Sequence, residues 1–120
     1  MAEQNDNLKS HLSRSREIHV SVIGRKTGRT ISNPVWFVFE DGSLYLLPVQ
    51  GSNTQWYKNV LKNPSLQIKA GDAGADVKAI FLTEHKQVSS VVEKFRSKYG
   101  AGDVKKYYSK FDVAVETKIP

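Results

Sequence analysis

Ile31-Ser32-Asn33-Pro34-Val35-Trp36-Phe37-Val38-Phe39-Glu40-Asp41-Gly42-Ser43-Leu44-Tyr45-Leu46-Leu47-Pro48 reads as two strands joined by a tight turn. β-branched and aromatic side chains crowd residues 31–39, the composition that suits a pleated, half-buried surface. Asp41-Gly42 marks the turn, because both central residues of a two-residue hairpin take positive φ and Asp and Gly tolerate it. Pro34 has no N–H to give to a ladder, so it predicts an edge, a bulge or a point where the strand meets a ligand.

Upstream of this hairpin, Ile18, Val20 and Val22 alternate with Glu17, His19 and Ser21, the period of a half-buried strand that ends near Ile23. Downstream, Trp56, Val60 and Leu61 share a face of a short helix, capped by Ser52 or Asn53 and ended by Asn63-Pro64. Residues 66–70 and 75–82 alternate as a second hairpin about Gly71-Asp72-Ala73-Gly74. Thr83 can cap a helix whose stripe is Val88, Val91, Val92, Phe95 and Tyr99, stopped by Gly100. Asp103 can cap a shorter helix carrying Tyr107 and Tyr108, and a last strand starts at Phe111 and is completed near Ile119. Residues 1–16 are polar and rich in Ser and Arg, and they predict a flexible or weakly helical arm. Residues 17–120 then form one domain, mainly β with accessory helices (α+β). Five or six short strands linked by hairpins favour an antiparallel barrel, because closure removes exposed edges.

Composition narrows the chemistry. The 120 residues suit a single core. With no cysteine there is no disulfide, thiolate nucleophile, Cys-ligated zinc or Cys-held iron–sulfur cluster, so redox work needs a bound organic cofactor. His11, His19 and His85 lack metal-ligand spacing, and no metal site is expected. No Ser-His-Asp or paired-carboxylate spacing appears either. The polar, acidic start and the lack of a long apolar run predict a cytoplasmic protein without stable membrane insertion. A net charge of +6 favours an acidic partner.

The sharpest concentration of charge is Gly24-Arg25-Lys26-Thr27-Gly28-Arg29, three cations between and beside two glycines on a strand-to-strand turn. Backbone N–H groups, the Thr hydroxyl and guanidinium forks can converge there on a phosphate or carboxylate. It is not a Walker loop, since a strand follows rather than a helix. The competing reading is a solubilising hairpin tip. Asn33, Pro34 and Trp36 offer an aromatic face beside extended backbone, or else Trp36 is core. The loop Pro48-Val49-Gln50-Gly51-Ser52 leads to a helix start whose amides and dipole favour an anion, with Trp56, Tyr57 and Asn59 adding stacking and hydrogen-bonding groups. Alternatively Trp56 anchors the helix while Tyr57 and Asn59 face water. Tyr107 and Tyr108 are candidate catalytic proton donors, while Tyr99 belongs to the apolar stripe and reads as structural.

Taken in order, Gly24-Arg25-Lys26-Thr27-Gly28-Arg29, Asn33-Pro34-Val35-Trp36-Phe37, Trp56-Tyr57-Lys58-Asn59 and Asn63-Pro64 resemble the deazaflavin-dependent nitroreductase family over about residues 18–82. That family lies within the flavin and deazaflavin oxidoreductases. The resemblance implies a split β-barrel of the FMN-binding, pyridoxamine-phosphate-oxidase type. It implies coenzyme F420 as cofactor, FMN as the alternative, and hydride transfer to a quinone, enone or nitro compound. By the same resemblance Arg25, Lys26, Thr27, Gly28 and Arg29 take the coenzyme's acidic tail. Asn33 and Pro34 lie near the cofactor, and Gln50, Gly51, Trp56 and Asn59 line the ring or phosphate pocket. Trp36, Pro48 and Tyr57 complete the candidate set. Relatives of this fold also bind FAD, haem or biliverdin, and split barrels often pair as homodimers. Two further classes stay open: a carrier or sensor that binds cofactor without turnover, and a nucleic-acid module. The second lacks an RNA-binding signature, so the expected partner is a small molecule rather than nucleic acid.

Overall fold

The computed structural model describes residues 2–120, with side chains from Asn7 onward; the side chains of the polar opening lie outside the described residues. Helices α1 (Ala2–Arg14), α2 (Gln55–Lys62), α3 (His85–Tyr99) and α4 (Ala101–Tyr107) accompany eight strands. These are β1 (Ile18–Ile23), β2 (Thr30–Val35), β3 (Phe37–Glu40), β4 (Ser43–Leu46), β5 (Ser65–Ala70), β6 (Ala73–Lys78), β7 (Ile80–Leu82) and β8 (Ala114–Lys118). They form two antiparallel sheets ordered β2-β1-β5-β6 and β3-β4-β8-β7. Only Trp36 separates β2 from β3, and only Ala79 separates β6 from β7, so two long strands bend from one sheet into the other. Counted as bent strands, the eight segments make a six-stranded barrel whose two sheets meet at both corners.

Local chemistry sets the turns. Ile23 pairs with Thr30, which closes the loop of residues 24–29. Asp41 and Gly42 both take positive φ, 53° and 78°, as the Asp-Gly signal predicts. The second hairpin turns over Gly71-Asp72 alone, because Ala70 already pairs with Ala73. It is tighter than the four-residue turn expected from sequence.

Two apolar clusters hold the barrel. Inside it, Ile18, Val20, Val22, Phe37, Leu44, Leu46, Ile68 and Val115 pack together, and α2 adds Trp56, Tyr57 and Val60. Outside the second sheet, Val38, Leu47, Leu82 and Ala114 meet Val88, Val91, Val92, Phe95 and Tyr99 of α3 and Val104 of α4. The second sheet is thus covered on both faces. That explains why Phe37 and Val38, adjacent in sequence, are both buried, a pattern alternation alone does not produce. Each fully buried side chain of this size contributes about 1.5–3 kcal/mol relative to exposure.

Residues 2–14 lie in the segment for which the sequence predicts a flexible or weakly helical arm. They form a helix whose Leu8 and Leu12 are buried in the barrel's core. It is tied to the β5–β6 turn by His11 Nε2 and Asn7 Nδ2, 3.0 and 3.3 Å from Asp72 Oδ1. Two apolar residues spaced i, i+4 suffice to dock it, although the mean hydropathy of the segment is low. Helix caps also depart from expectation. Thr54 precedes α2, Glu84 precedes α3 and Gly100 precedes α4, none with a side-chain capping bond, and Asp103 lies inside the first turn of α4. The last strand starts at Ala114 rather than Phe111.

Candidate functional site

A cleft of about 520 Å³ opens beside the Trp36 corner, within the size range of small-molecule sites. Glu17, Asn33, Pro34, Val35 and Trp36 form one wall. Leu47, Val49, Thr54, Gln55 and Trp56 form another, and Tyr107 and Tyr108 of the α4 end close the third side. The bend at Trp36 is what places the indole here, since it leaves the barrel wall between two strands. Tyr99 stacks on that indole at 4.2 Å between centroids with planes 6° apart. Tyr107 meets it edge-on at 5.6 Å, and Tyr108 lies tilted at 6.1 Å. Tyr99 is itself pinned at the corner: its hydroxyl accepts the Phe37 N–H (3.0 Å) and lies 2.6 Å from the Arg16 carbonyl oxygen, to which it donates. The result is a rigid aromatic slot.

A short way along α2 the chemistry reverses. The Arg25 guanidinium donates to Asn59 Oδ1 (2.8 Å) and to Gln55 Oε1 (2.8 Å), and the Arg25 backbone N–H also donates to Asn59 Oδ1 (3.1 Å). Asn59 is buried, so its carboxamide is a fixed post under the loop. The loop closes on itself through Gly24 N–H to the Arg29 carbonyl (2.7 Å) and Gly28 N–H to the Gly24 carbonyl (2.9 Å). Gly28 sits at φ +72°, a conformation that disfavours any side chain. Thr27 Oγ1 accepts the Arg29 N–H at 3.3 Å. Among the described residues no carboxylate lies within ion-pair distance of Arg25, Lys26, Arg29 or Lys62. Gly24, Arg25, Gly28, Lys62, Asn63 and Pro64 line a separate, smaller cleft of about 340 Å³. Gln55 belongs to both places, as wall of the slot and as partner of Arg25.

Of the residues singled out in sequence, Asn33, Pro34, Trp36, Trp56, Tyr107 and Tyr108 come together on the slot. Arg25, Lys26, Thr27, Gly28 and Arg29 form the charged loop, with Asn59 beneath it. Four lie off the slot wall. Tyr57 turns into the barrel core against Phe81, because it follows Trp56 by about 100° around the helix. Pro48 is buried and its carbonyl accepts the Gly51 N–H. Gln50 is exposed, with its N–H on Thr54 Oγ1. Gly51 packs so tightly on Asp112 that a Cβ would lie 2.1 Å from the carboxylate. Asp112 in turn accepts both the backbone N–H and the hydroxyl of Ser52, which fixes the loop before α2. Burial raises its pKa, but those two bonds and Lys110 outweigh it and hold the carboxylate low.

Sequence reasoning missed Glu17 and Leu47, and it marked Val35, Val49, Thr54 and Gln55 only as members of a motif, a loop or a helix start rather than as site residues. Gln55 carried a readable signal, since it is one residue before Trp56 on the helix start already marked as a site; Glu17 carried none. Burial raises the pKa of Tyr108 strongly, with the neighbouring Tyr99 adding to it, so its phenol keeps its proton through the working range. Tyr107 is about half exposed, at 52%. Among the described residues no group of three or more His, Asp or Glu stands where it could hold a metal, and no helix is long and apolar enough to cross a membrane.

Solved structures share this architecture. An F420-H2-dependent reductase, FDR-A, superposes with a TM-score of 0.67 at 18% identity, over 86% of this chain and 94% of that one. A protein solved as a domain-swapped dimer gives 0.69 at 18% identity, over 98% and 96%. HutZ, the haem storage protein from Vibrio cholerae, gives 0.72 at 13% identity, over 96% and 88%. At such identities the likeness establishes the fold: a split β-barrel of the pyridoxamine-phosphate-oxidase type, α+β, as the resemblance implied. None of the curated proteins matches the sequence. Residues 9–117 match the model of a family described as an uncharacterized protein conserved in bacteria (DUF2255), and the chain belongs to that family.

Proposed function

We propose that this protein is an oxidoreductase that holds a flavin-type cofactor across Gln55 and Arg25, coenzyme F420 ahead of FMN, and serves hydride transfer to a planar, electron-poor acceptor. The observation that carries this reading is the Arg25–Gln55 hydrogen bond of 2.8 Å. It joins the aromatic slot directly to the charged loop, so one ligand that fills both is apolar and planar at one end and anionic at the other. Flavin-type coenzymes have that shape. Arg25 is held only by neutral amides, which orient its guanidinium without neutralising it. The unpaired cations of the loop suit an acidic tail.

When bound, the reduced coenzyme supplies the hydride. The chain's own residues supply place and environment. Trp36, Trp56 and Pro34 exclude water from the slot, and the Asn33 and Gln55 amides present polar groups to the edge of a ring. Tyr108 keeps its phenol proton and can give a hydrogen bond at Oη without releasing it. Tyr107 lines the slot and is about half exposed, which suits it to pass a proton between solvent and an acceptor.

The test is a binding titration of wild type and the double variant Arg25→Ala/Arg29→Ala with three ligands: oligoglutamylated coenzyme F420, its tail-less core and FMN. Two charge-assisted contacts at about 1 kcal/mol each predict a loss of about thirtyfold in affinity for the tailed coenzyme and little change for the core. Failure of wild type to bind any of the three saturably would sink the reading.

A further inference from the structure

We infer that the slot admits planar ligands that are uncharged or cationic and turns away anionic ones, with Glu17 setting the sign. This rests on reading the slot as the site where a planar acceptor meets the ring. The chain carries 18 Lys and Arg against 12 Asp and Glu, yet the one charged residue on the slot wall is the carboxylate of Glu17. Among the described residues it has no ion pair. Three cations lie over rings at or next to the slot, but none of them pairs with Glu17. Arg16 lies over the Tyr99 ring at 5.1 Å, Lys98 over the Phe37 ring at 3.6 Å and Lys106 over the Tyr107 ring at 5.3 Å.

The two ends of the site therefore sort ligands by opposite rules. Anionic groups go to the loop of residues 24–29, and a second molecule entering the slot meets the unpaired carboxylate of Glu17 on its wall. A unit charge about 6 Å from a carboxylate in water changes affinity by about threefold, so a monocation and a monoanion are separated by about tenfold. The effect is modest because Glu17 is exposed, and it adds to whatever stacking the aromatic walls provide.

Both tryptophans of the chain line the slot, which makes their fluorescence a reporter of its occupancy. The experiment titrates cofactor-free wild type, Glu17→Gln and Glu17→Lys with three planar probes at low ionic strength. These are N-methylphenazinium (cation), 2-methyl-1,4-naphthoquinone (neutral) and anthraquinone-2-sulfonate (anion). In Glu17→Gln the cation is expected to weaken about threefold and the sulfonate to tighten about threefold, with the quinone unchanged, and Glu17→Lys extends both shifts. The inference is overturned if the cation-to-sulfonate ratio in Glu17→Gln stays within about twofold of wild type, if all three probes shift together, or if none quenches saturably. Because no coenzyme is present, a chain that bound no flavin would still report on Glu17. Conversely, a chain that bound coenzyme but did not sort the probes would overturn this inference alone.

Discussion

Residues 24–29 hold their cations in water on a loop closed by its own backbone, whereas Trp36 is packed against Tyr99 and Tyr108 at the C-terminal ends of α3 and α4. In the loop, shape and charge are separable: glycines and main-chain bonds make the turn, and Lys26 and Arg29 have no structural duty that the contacts reveal. In the slot they are not separable, because Tyr99 and Tyr108 belong to the outer apolar cluster and Trp36 packs against it. Substitutions should therefore strike the two regions in different currencies, affinity in one and stability in the other. Arg25 stands between, since Asn59 and Gln55 tie it to α2.

The largest expected effect that would break this contrast is at Trp36. Trp36→Ala removes a half-buried indole stacked on Tyr99, and a loss of about 3 kcal/mol in urea unfolding is expected together with loss of ring binding. If the protein kept its stability, the slot would be less structural than described. Tyr99→Phe deletes a buried hydroxyl that serves Phe37 and Arg16 and strands their backbone groups. It should cost about 2 kcal/mol, read by thermal and urea unfolding.

Asn59→Asp keeps the shape of the post but sets a carboxylate against Arg25. About a tenfold loss of affinity for the tailed coenzyme is expected, with stability within about 1 kcal/mol of wild type. A fall in stability without a fall in affinity would reverse the assignment of Asn59 and sharpen the boundary between the regions.

The smallest effect is a pH slope. Burial, helped by the Arg16 charge, brings the Lys98 pKa down from 10.5 to about 8. The folded state then binds fewer protons than the unfolded state between these values, so stability rises with pH from about 8 to about 10.5. Lys98 is only partly buried and its ammonium is favoured by the Phe37 ring and carbonyl, which limits the gain to about 1 kcal/mol. Comparison with Lys98→Met across that window isolates it. Above pH 10 Tyr99, whose pKa is raised mainly by burial, pulls the other way, because only the unfolded chain ionises it readily.

Much of this architecture could be read from short-range signals. The Asp41-Gly42 hairpin, the alternation over Ile18–Ile23 and the α3 stripe are local rules with one dominant solution, and each appears as expected. What could not be read depends on partners distant in sequence. The break at Trp36 arises because the strand changes sheets, and the docking of Leu8 and Leu12 needs a barrel to dock into. Tyr57 and Asn59 are buried because α2 lies against the barrel with that face inward, which a helical wheel of eight residues does not specify. Within the candidate site, the residues forming the two ends were legible as types, but the connection through Gln55 was not, since it depends on a hydrogen bond across 30 positions.

The N-terminal helix has a consequence for how the chain is made. Leu8 and Leu12 emerge from the ribosome early, but β5 and β6, against which α1 packs, follow only at Ser65–Ala70 and Ala73–Lys78, and His11 waits for Asp72, 61 positions later. Through that interval the two leucines have no strands to cover them, and apolar surface left open before a domain closes is prone to aggregate. Leu8 and Leu12 are thus made well before the strands that cover them.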